Sequence, residues 1–365
     1  MLDWNYYTEE EKCALYTKGT SSYRTKILCF LAALLLAVLT IGAVLKGGGV
    51  SPGELAADIR HLSFPGLLLA IFAMFGFIFF EGTALTVIVR SLGYPAKHRR
   101  GFVYSAADIY FSAITPSASG GQPASAFFMM RDGIPATAVM AALLLNLIMY
   151  TMAIITLGLL TILVFPQIFL QFSLLGKLFI LIGILTLTML AILFYLLMRR
   201  QQLLKRLALG TASILERFHC HRLAKKIRSK LDHMLGEYQQ CVDLLFDKKH
   251  MLLKVYFLNL LQRISQLLVT VFVFFAMGGR YAAIPKLFAT QIYVVLGSNS
   301  MPVPGAMGVA DYLMLNGYMA LMDQADAFRL EILGRGISFY ACMILSMITT
   351  GIGYLLLKKY KWGKH

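Results

Sequence analysis

The chain has 365 residues, of which 58% are hydrophobic and only 14% charged, and its formal net charge is +16. A soluble domain carries about a quarter of charged residues, so this composition excludes an ordinary globular protein. Three apolar runs, residues 26–45, 64–89 and 175–198, each reach the roughly 20 residues that a helix needs to cross a bilayer. We therefore predict an all-α, multi-pass membrane protein.

In chain order, six full spans and two shorter apolar segments are predicted. The spans are residues 26–45, 64–89, 134–165, 172–198, 252–277 and 330–357. Residues 101–131 begin beside the basic sequence KHRRG and end at Arg131, yet the next span must also start on the same side. Residues 284–322 behave in the same way from the opposite face. We therefore predict two opposed re-entrant hairpins, typical of inverted-repeat transporters; two kinked ordinary helices are the alternative.

The positive charge follows this predicted topology. Basic residues concentrate in alternate loops, at 18–26, 90–100, 199–254 and 358–365, and the intervening loops are nearly neutral. Loops rich in Lys and Arg usually face the cytoplasm, so residues 1–24 and the C-terminus are predicted there. Topology thus accounts for the charge without a nucleic-acid partner. The whole chain, 1–365, is predicted to form one transmembrane domain.

Residues 199–250 form the longest basic stretch. Apolar residues in it, such as Leu231, Tyr238 and Leu245, recur every three or four positions, which predicts amphipathic helices. Each basic residue close to an anionic cytoplasmic leaflet contributes about 1 kcal/mol of binding. We expect anionic lipids as partners here, and we interpret the stretch as a connection between two halves rather than a separate functional domain.

Each predicted hairpin turns at a motif rich in Gly, Pro and Ser. The motifs SGGQP (119–123) and PVPG (302–305) each precede a short helix, whose N-terminal amides favour an anion. A phospholipid phosphate is the anion available at that depth, although the same residues could simply stabilise the turns. The candidate phosphate-binding residues are Ser117, Ser119, Gly120, Gly121, Gln122, Pro304 and Gly305, together with Arg131, Arg263 and Arg335.

Ionisable residues inside the apolar segments form a second group of candidates. A charge in the middle of a bilayer costs about 2.5–3.5 kcal/mol, so such residues are usually functional or paired. Glu81, Asp108 and Asp311 are candidates for binding the ammonium group of a lipid headgroup. Arg335 could instead pair with Glu331, one turn away. A polar stripe at helical spacing, predicted to line the interior, consists of Asn259, Gln262, Arg263 and Gln266.

The sequences TPSASGGQP (115–123), RDGIP (131–135) and MPVPGAMGVAD (301–311) resemble the transmembrane domain family of lysylphosphatidylglycerol synthase, the multiple peptide resistance factor. The resemblance covers nearly the whole chain, although the family commonly has PGG and a Glu where this chain has PGA and Asp311. It implies a flippase-like domain in a bacterial cytoplasmic membrane. Such a domain moves aminoacylated phosphatidylglycerol to the outer leaflet, which lowers the envelope's negative charge and gives resistance to cationic peptides. The family's cytosolic synthase domain is not expected here, because only a short tail follows the last predicted span.

We therefore expect a lipid translocase, with an integral-membrane lipid-modifying transferase and a non-catalytic membrane subunit as alternatives. The expected substrate is a phospholipid of the aminoacyl-phosphatidylglycerol class; another phospholipid or a polyprenyl-phosphate sugar stays open. A separate lipid synthase and a second copy of this chain are further candidate partners. The sequence has no hydrolase, nucleotide-binding or metalloprotease motif, so we expect no catalytic residue, metal ion or cofactor.

Overall fold

The computed structural model describes residues 62–115, 118–200, 221–299 and 308–356, with Gln202, Lys205 and Arg206, and for residues 221–233 it describes the backbone alone. Every long regular element in these ranges is helical. The helices are α1 Phe64–Ser91, α2 His98–Ile114, α3 Gly121–Arg131, α4 Ala136–Val164, α5 Pro166–Gln171, α6 Leu174–Arg199, α7 His221–Asp247, α8 Lys249–Ala276, α9 Ile284–Ser298, α10 Val309–Tyr318, α11 Gln324–Arg335 and α12 Cys342–Leu356. A short 3₁₀ turn, Tyr281–Ala283, precedes α9, and a π-helical segment, Gly336–Ala341, joins α11 to α12.

Five helical segments among the described residues are long and apolar enough to cross a membrane. They are Phe64–Ser91, Ala136–Val164, Leu174–Arg199, Lys249–Ala276 and Gln324–Leu355, the last of which runs through the π-helical segment. Each overlaps one of the predicted spans, and the predicted span at 26–45 lies outside the described residues. The chain is therefore a multi-pass membrane protein.

Local sequence signals account for several helix ends. Ser173 precedes α6, and its Oγ accepts a hydrogen bond from the Gly176 N–H at 3.1 Å. Asp323 precedes α11, and its carboxylate accepts from the Asp326 N–H at 2.8 Å. These side chains satisfy backbone donors that a helix leaves without an internal partner. Gly308 precedes α10 with a φ of +82°, a conformation that side chains rarely adopt.

The antiparallel pair of α1 and α8 lies at the centre of the bundle. The Ser63 N–H donates to the Ala276 carbonyl at 2.8 Å, and at the other end Lys248 Nζ donates to the Ser91 carbonyl at 2.6 Å. Gly66 lets the two backbones approach, since an added Cβ would lie 2.6 Å from the Cα of Ala276. Such close contacts between small residues drive helix association in lipid, where apolar surface alone gives little preference.

Helices α2 and α3 form an antiparallel pair of short helices. Gln122 of α3 contacts Asp108 near the middle of α2, and Asp132 contacts Tyr104 nearer its start. The two helices have 17 and 11 residues, fewer than the roughly 20 that a bilayer requires. Arg100 forms an ion pair with the same Asp132, so the open ends of the pair are tied together.

Helices α9 and α10 repeat this arrangement later in the chain. They have 15 and 10 residues, and they are antiparallel because Gln291 contacts Tyr318 while Gly297 faces Leu313. Each short pair follows a helix of 28 residues, α1 in the first case and α8 in the second. The described residues therefore contain the order long helix, short helix, short helix twice.

Basic side chains gather at one end of the bundle, which we call the basic end. Here α1, α6 and α12 end, and α2, α4 and α8 begin. Contacts across it include Lys248 Nζ with the Ser91 carbonyl, Arg131 Nη2 with the Tyr354 carbonyl at 2.9 Å, and the Arg199 guanidinium 5.0 Å from the Phe246 ring centroid. The basic residues at this end include Arg90, Lys97, Arg99, Arg100, Arg131, Arg199, Arg200, Lys248 and Lys249.

Candidate functional site

A layer of polar side chains separates two apolar clusters of the helix bundle. On α1, Glu81 lies between Ile78 of one cluster and Leu85 of the other. On α8, the polar stripe lies between Val255 and Leu267, which also belong to different clusters. Glu81 is ten residues from Ser91, the end of α1, or about 15 Å at the rise of an α-helix. The polar layer therefore lies near the middle of the spans.

Glu81 of α1 and Asp108 of α2 form a buried carboxyl pair in this layer. Their side chains are only 6% and 8% exposed. Glu81 Oε2 also accepts from Ser105 Oγ at 2.9 Å and from Gln262 Nε2 at 3.1 Å. Three helices thus converge on a single carboxyl group.

The start of α3 is turned towards the same pair. Gln122 Nε2 donates to Asp108 Oδ2 at 3.0 Å, and Ser112 Oγ donates to Asp108 Oδ1 at 3.3 Å. Gly121 has no room for a side chain, because an added Cβ would collide with the Asp108 carboxyl group and lie 2.6 Å from its backbone oxygen. The Gly-Gln sequence predicted to approach a phosphate therefore lies directly against Asp108.

Arg263 of α8 is the buried cation of the layer. Its guanidinium lies 3.7 Å from the ring centroid of Tyr150 and 5.5 Å from that of Phe77, and Nη1 donates to Gln266 Oε1. Arg263 Nε is buried without a hydrogen-bond partner among the described residues, a state that costs about 1–3 kcal/mol. Arg263 and Gln266 line a small cavity with the apolar side chains Ile154, Leu157, Leu267 and Ile292. The guanidinium of Arg263 is therefore fixed by its neighbours, and its Nε–H is still able to donate a hydrogen bond.

Unbonded acceptors lie on the same helix. In the described part of the chain, Gln262 Oε1 and Asn259 Oδ1 are buried and accept no hydrogen bond. The amide nitrogen of Asn259 donates to Asn146 Oδ1 at 3.0 Å, which links α8 to α4. Asn259, Gln262 and Arg263 of the predicted stripe are buried, with Gln262 and Asn259 at most 1% exposed, and Gln266 is partly buried. An unbonded donor and unbonded acceptors thus occur on the same helix within two turns, which suits a ligand that carries both an anionic group and N–H donors.

Asp311, Glu331 and Arg335 form a second polar cluster in the later half of the chain. Arg335 Nε lies 2.8 Å from Asp311 Oδ1, and Asp311 Oδ2 accepts from the Gly308 N–H at 2.8 Å. The ion pair with Asp311 joins α11 to α10, and Glu331, which helical spacing predicts as a partner of Arg335, lies on α11 itself. Glu331 is the third charged residue of this cluster, and its side chain is buried.

The other candidate residues lie outside the polar layer or outside the described residues. Arg131 is at the basic end, where its guanidinium stacks on Tyr354 at 4.4 Å. The Gly120 N–H donates to Thr115 Oγ1 at 2.8 Å within the turn that leads to α3, and the neighbouring Ser119 is exposed. Ser117, Pro304 and Gly305 lie outside the described residues.

Three members of the site are not among the residues predicted from the sequence. Ser105 and Ser112 bind the carboxyl pair, and Tyr150 stacks on Arg263. The two serines lie three residues before and four residues after Asp108, so their helical spacing from a buried acid could have found them. Tyr150 lies on a different span from Arg263, and only tertiary packing brings the two together.

Comparison with known proteins adds one match. A family model described as the lysylphosphatidylglycerol synthase TM region matches residues 27–346, which is most of the chain. No curated protein and no solved structure matches it. The matched range contains the polar layer, the second polar cluster and both pairs of short helices.

Proposed function

Because this chain belongs to the lysylphosphatidylglycerol synthase transmembrane-region family, we propose that it is a lipid translocase. It moves a phospholipid headgroup of the aminoacyl-phosphatidylglycerol class from the inner to the outer leaflet of a bacterial cytoplasmic membrane. One observation carries the proposal: the buried, unbonded Arg263 Nε lies in the same mid-membrane layer as the buried Glu81–Asp108 pair. A soluble partner would not reach this depth, whereas a lipid headgroup that crosses the bilayer must pass it.

In this function Arg263 binds the phosphate and the carboxyl pair binds an ammonium group. Hydrogen bonds between a guanidinium and an anion are about twice as strong as those between neutral groups. The Tyr150 ring holds the guanidinium plane, and the unbonded Gln262 Oε1 accepts from the ammonium. Gln122 and Gly121 act through Asp108, by orienting it and leaving it room. The acyl chains stay in the surrounding lipid.

The remaining charged candidates hold helices together in this assignment. Arg131 fastens the end of α3 to α12 through Tyr354, and Arg335 fastens α11 to α10 through Asp311. Both arginines already interact with protein groups, which supports a structural role rather than phosphate binding.

For this translocase we propose a membrane topology with six full spans and two re-entrant hairpins. The hairpins are α2–α3 and α9–α10, whose helices are too short to span. The first hairpin starts and ends at the basic end, and the second starts and ends at the opposite end. The basic end faces the cytoplasm, together with both termini, as expected for an excess of Lys and Arg. The basic helix α7 then lies against the anionic inner leaflet, beside a separate lipid synthase that supplies the substrate.

The test is reconstitution of the full chain in liposomes that contain lysyl-phosphatidylglycerol, with outer-leaflet lipid measured by an amine reagent that does not cross membranes. Arg263→Met keeps an unbranched, flexible side chain and removes the guanidinium and its charge. We expect its initial rate to fall about 10- to 150-fold, the equivalent of about 1.5–3 kcal/mol for a hydrogen bond to a charged group. Arg263→Lys should lie between, since an ammonium does not offer a planar fork.

Arg329→Met is the matched control, because Arg329 is exposed on α11 with a side chain that is 58% accessible. It should retain the wild-type rate. Equal rates for Arg263→Met and wild type would contradict phosphate binding by Arg263. Mass spectrometry of the same liposomes, after addition of an aminoacyl donor, tests the transferase alternative: a new lipid species would favour it.

A further inference from the structure

We propose that the Glu81–Asp108 pair holds one exchangeable proton and releases it when a cationic headgroup enters the site, so that lipid moves one way and a proton moves the other. This inference rests on the proposed translocase function and adds its energy source. It concerns headgroups with a net charge of +1, which carry one phosphate and two ammonium groups.

The first observation is that two buried carboxyl groups, Glu81 and Asp108, share the polar layer with one buried arginine, Arg263. Ser105, one helical turn before Asp108, donates to Glu81 at 2.9 Å, so the two acids lie on packed helices at the same level. Two buried carboxyl groups this close do not both ionise, because burial disfavours each charge and each charge disfavours the other. The neighbouring Ser105, Gln262 and Gln122 all donate to the pair and are themselves neutral. The pair therefore binds one proton and has a charge of −1 when the site is empty.

The second observation concerns the buried amide group of Gln262. Gln262 is 1% exposed, and its amide nitrogen is bound to Glu81, while its Oε1 accepts no hydrogen bond from any described residue. A buried acceptor without a partner is rare, and here it belongs to the amide group that binds Glu81. An ammonium group placed beside Glu81 would supply the missing donor. The proton site and the cation site are therefore the same place.

Charge balance links the two observations. The described charged and titratable groups that face the pair from neighbouring helices are the Arg263 guanidinium on α8 and the Cys342 thiol at the start of α12; Tyr150 on α4 faces Arg263. One arginine and a singly protonated pair make the empty site neutral. A headgroup with charge +1 would leave one buried charge uncompensated, which is costly at this depth. Loss of the proton from the pair restores neutrality.

The proton balance of one cycle follows. When the headgroup enters from the inner leaflet, the O–H bond of the protonated carboxyl breaks and the proton passes to water on that side. When the headgroup leaves at the outer leaflet, the pair takes a proton from water on the outer side. One positive charge moves outward as lipid and one moves inward as a proton, so the exchange is electroneutral.

The experiment uses the full chain in liposomes with lysyl-phosphatidylglycerol, a dye that reports the internal pH, and the impermeant amine reagent. With acid outside, we expect the outer-to-inner ratio of the lipid at steady state to rise by up to about tenfold for each pH unit, the limit for one-to-one exchange. The reverse gradient should lower it. A potassium diffusion potential without a pH gradient should leave the ratio unchanged, and phosphatidylethanolamine, whose headgroup is net neutral, should not respond to pH.

Glu81→Gln and Asp108→Asn remove the shared proton and preserve shape. In both we expect the ratio with a gradient to equal the ratio without one. Asp326→Asn, on the exposed surface of α11, is the matched control and should respond as wild type does. Infrared difference spectra between neutral and alkaline pH measure the proton without transport: the carbonyl band of a protonated carboxyl should be present in wild type and lost in both pair variants.

The outcomes separate this inference from the proposed function. Lipid movement that ignores the pH gradient and leaves the internal pH unchanged would overturn the exchange and leave the translocase standing. A wild-type protein that moves no lipid would overturn both. A carbonyl band that persists in both pair variants would place the proton elsewhere and overturn the inference even if transport depends on pH.

Discussion

At the scale of single residues, Tyr150 combines two contacts that can be separated. Its ring lies under the Arg263 guanidinium at 3.7 Å, and its hydroxyl donates to Asn299 Oδ1 at 3.1 Å. The ring contact fixes the plane of the cation, whereas the hydroxyl links α4 to the end of α9. Only the ring contact bears on phosphate binding, because the hydroxyl group binds Asn299 and not Arg263.

Substitution of Tyr150 should therefore give two different results in the liposome assay. Tyr150→Phe keeps the ring and should change the initial rate of lipid movement by less than about threefold, because one exposed hydrogen bond contributes about 0.5–1.5 kcal/mol at most and acts outside the site. Tyr150→Leu removes the cation–π contact, which contributes about 0.5–2 kcal/mol, and should slow movement about two- to thirtyfold. A Phe variant as slow as the Leu variant would show that the hydroxyl, and not the ring, is required.

At the scale of helices, close approach decides where the polar groups meet. An added Cβ at Gly82 of α1 would lie 2.6 Å from the Gly101 carbonyl oxygen of α2, so the two backbones touch one residue beyond Glu81. Gly121 plays the same part between α2 and α3. The sequence marked Gly121 by its motif and predicted the pair of short helices from charge, but it did not indicate that this glycine faces an acid rather than a ligand.

Gly121→Ala should consequently disturb the carboxyl pair. The new methyl group would press on Asp108 and Ser112, and overpacking of this kind costs about 1–3 kcal/mol. We expect a lower melting temperature in detergent and a reduced response of transport to pH. Gly236→Ala on α7 is the matched control: nothing lies within 4 Å of its added Cβ, so it should be neutral or stabilising. Equal melting temperatures for wild type and Gly121→Ala would show that α3 yields without strain.

At the scale of the whole molecule, charge and hydropathy predicted more than any motif did. Five described spans overlap predicted ones, and the helical spacing of Asn259, Gln262 and Arg263 predicts the buried face that α8 has. The partners inside the layer could not be predicted, because Glu81 meets Gln262 across 181 residues of sequence and only packing sets that contact. The same applies to the ion pair of Arg335 with Asp311, which joins two different helices.

The proposed orientation can be tested by cysteine labelling in whole cells. In a background without native cysteines, Arg280→Cys lies at the end opposite the basic end and should react with an impermeant maleimide from outside. Arg200→Cys, at the basic end, should react only after permeabilisation, since both side chains are exposed in the structure. The reverse pattern would invert the topology. If Cys241 is retained, it should react slowly, because burial raises the pKa of its thiol and thiolate is the reactive form.

The π-helical segment Gly336–Ala341 sets the angular phase between two contacts that anchor the last span. Arg335 precedes it and binds Asp311, and Tyr354 follows it and lies under Arg131. A π turn accommodates a surplus residue within a helix. Deleting that residue would rotate everything after it by about 100°, the angle per residue of an α-helix, and would swing Tyr354 out from beneath Arg131 while Arg335 stayed where it is.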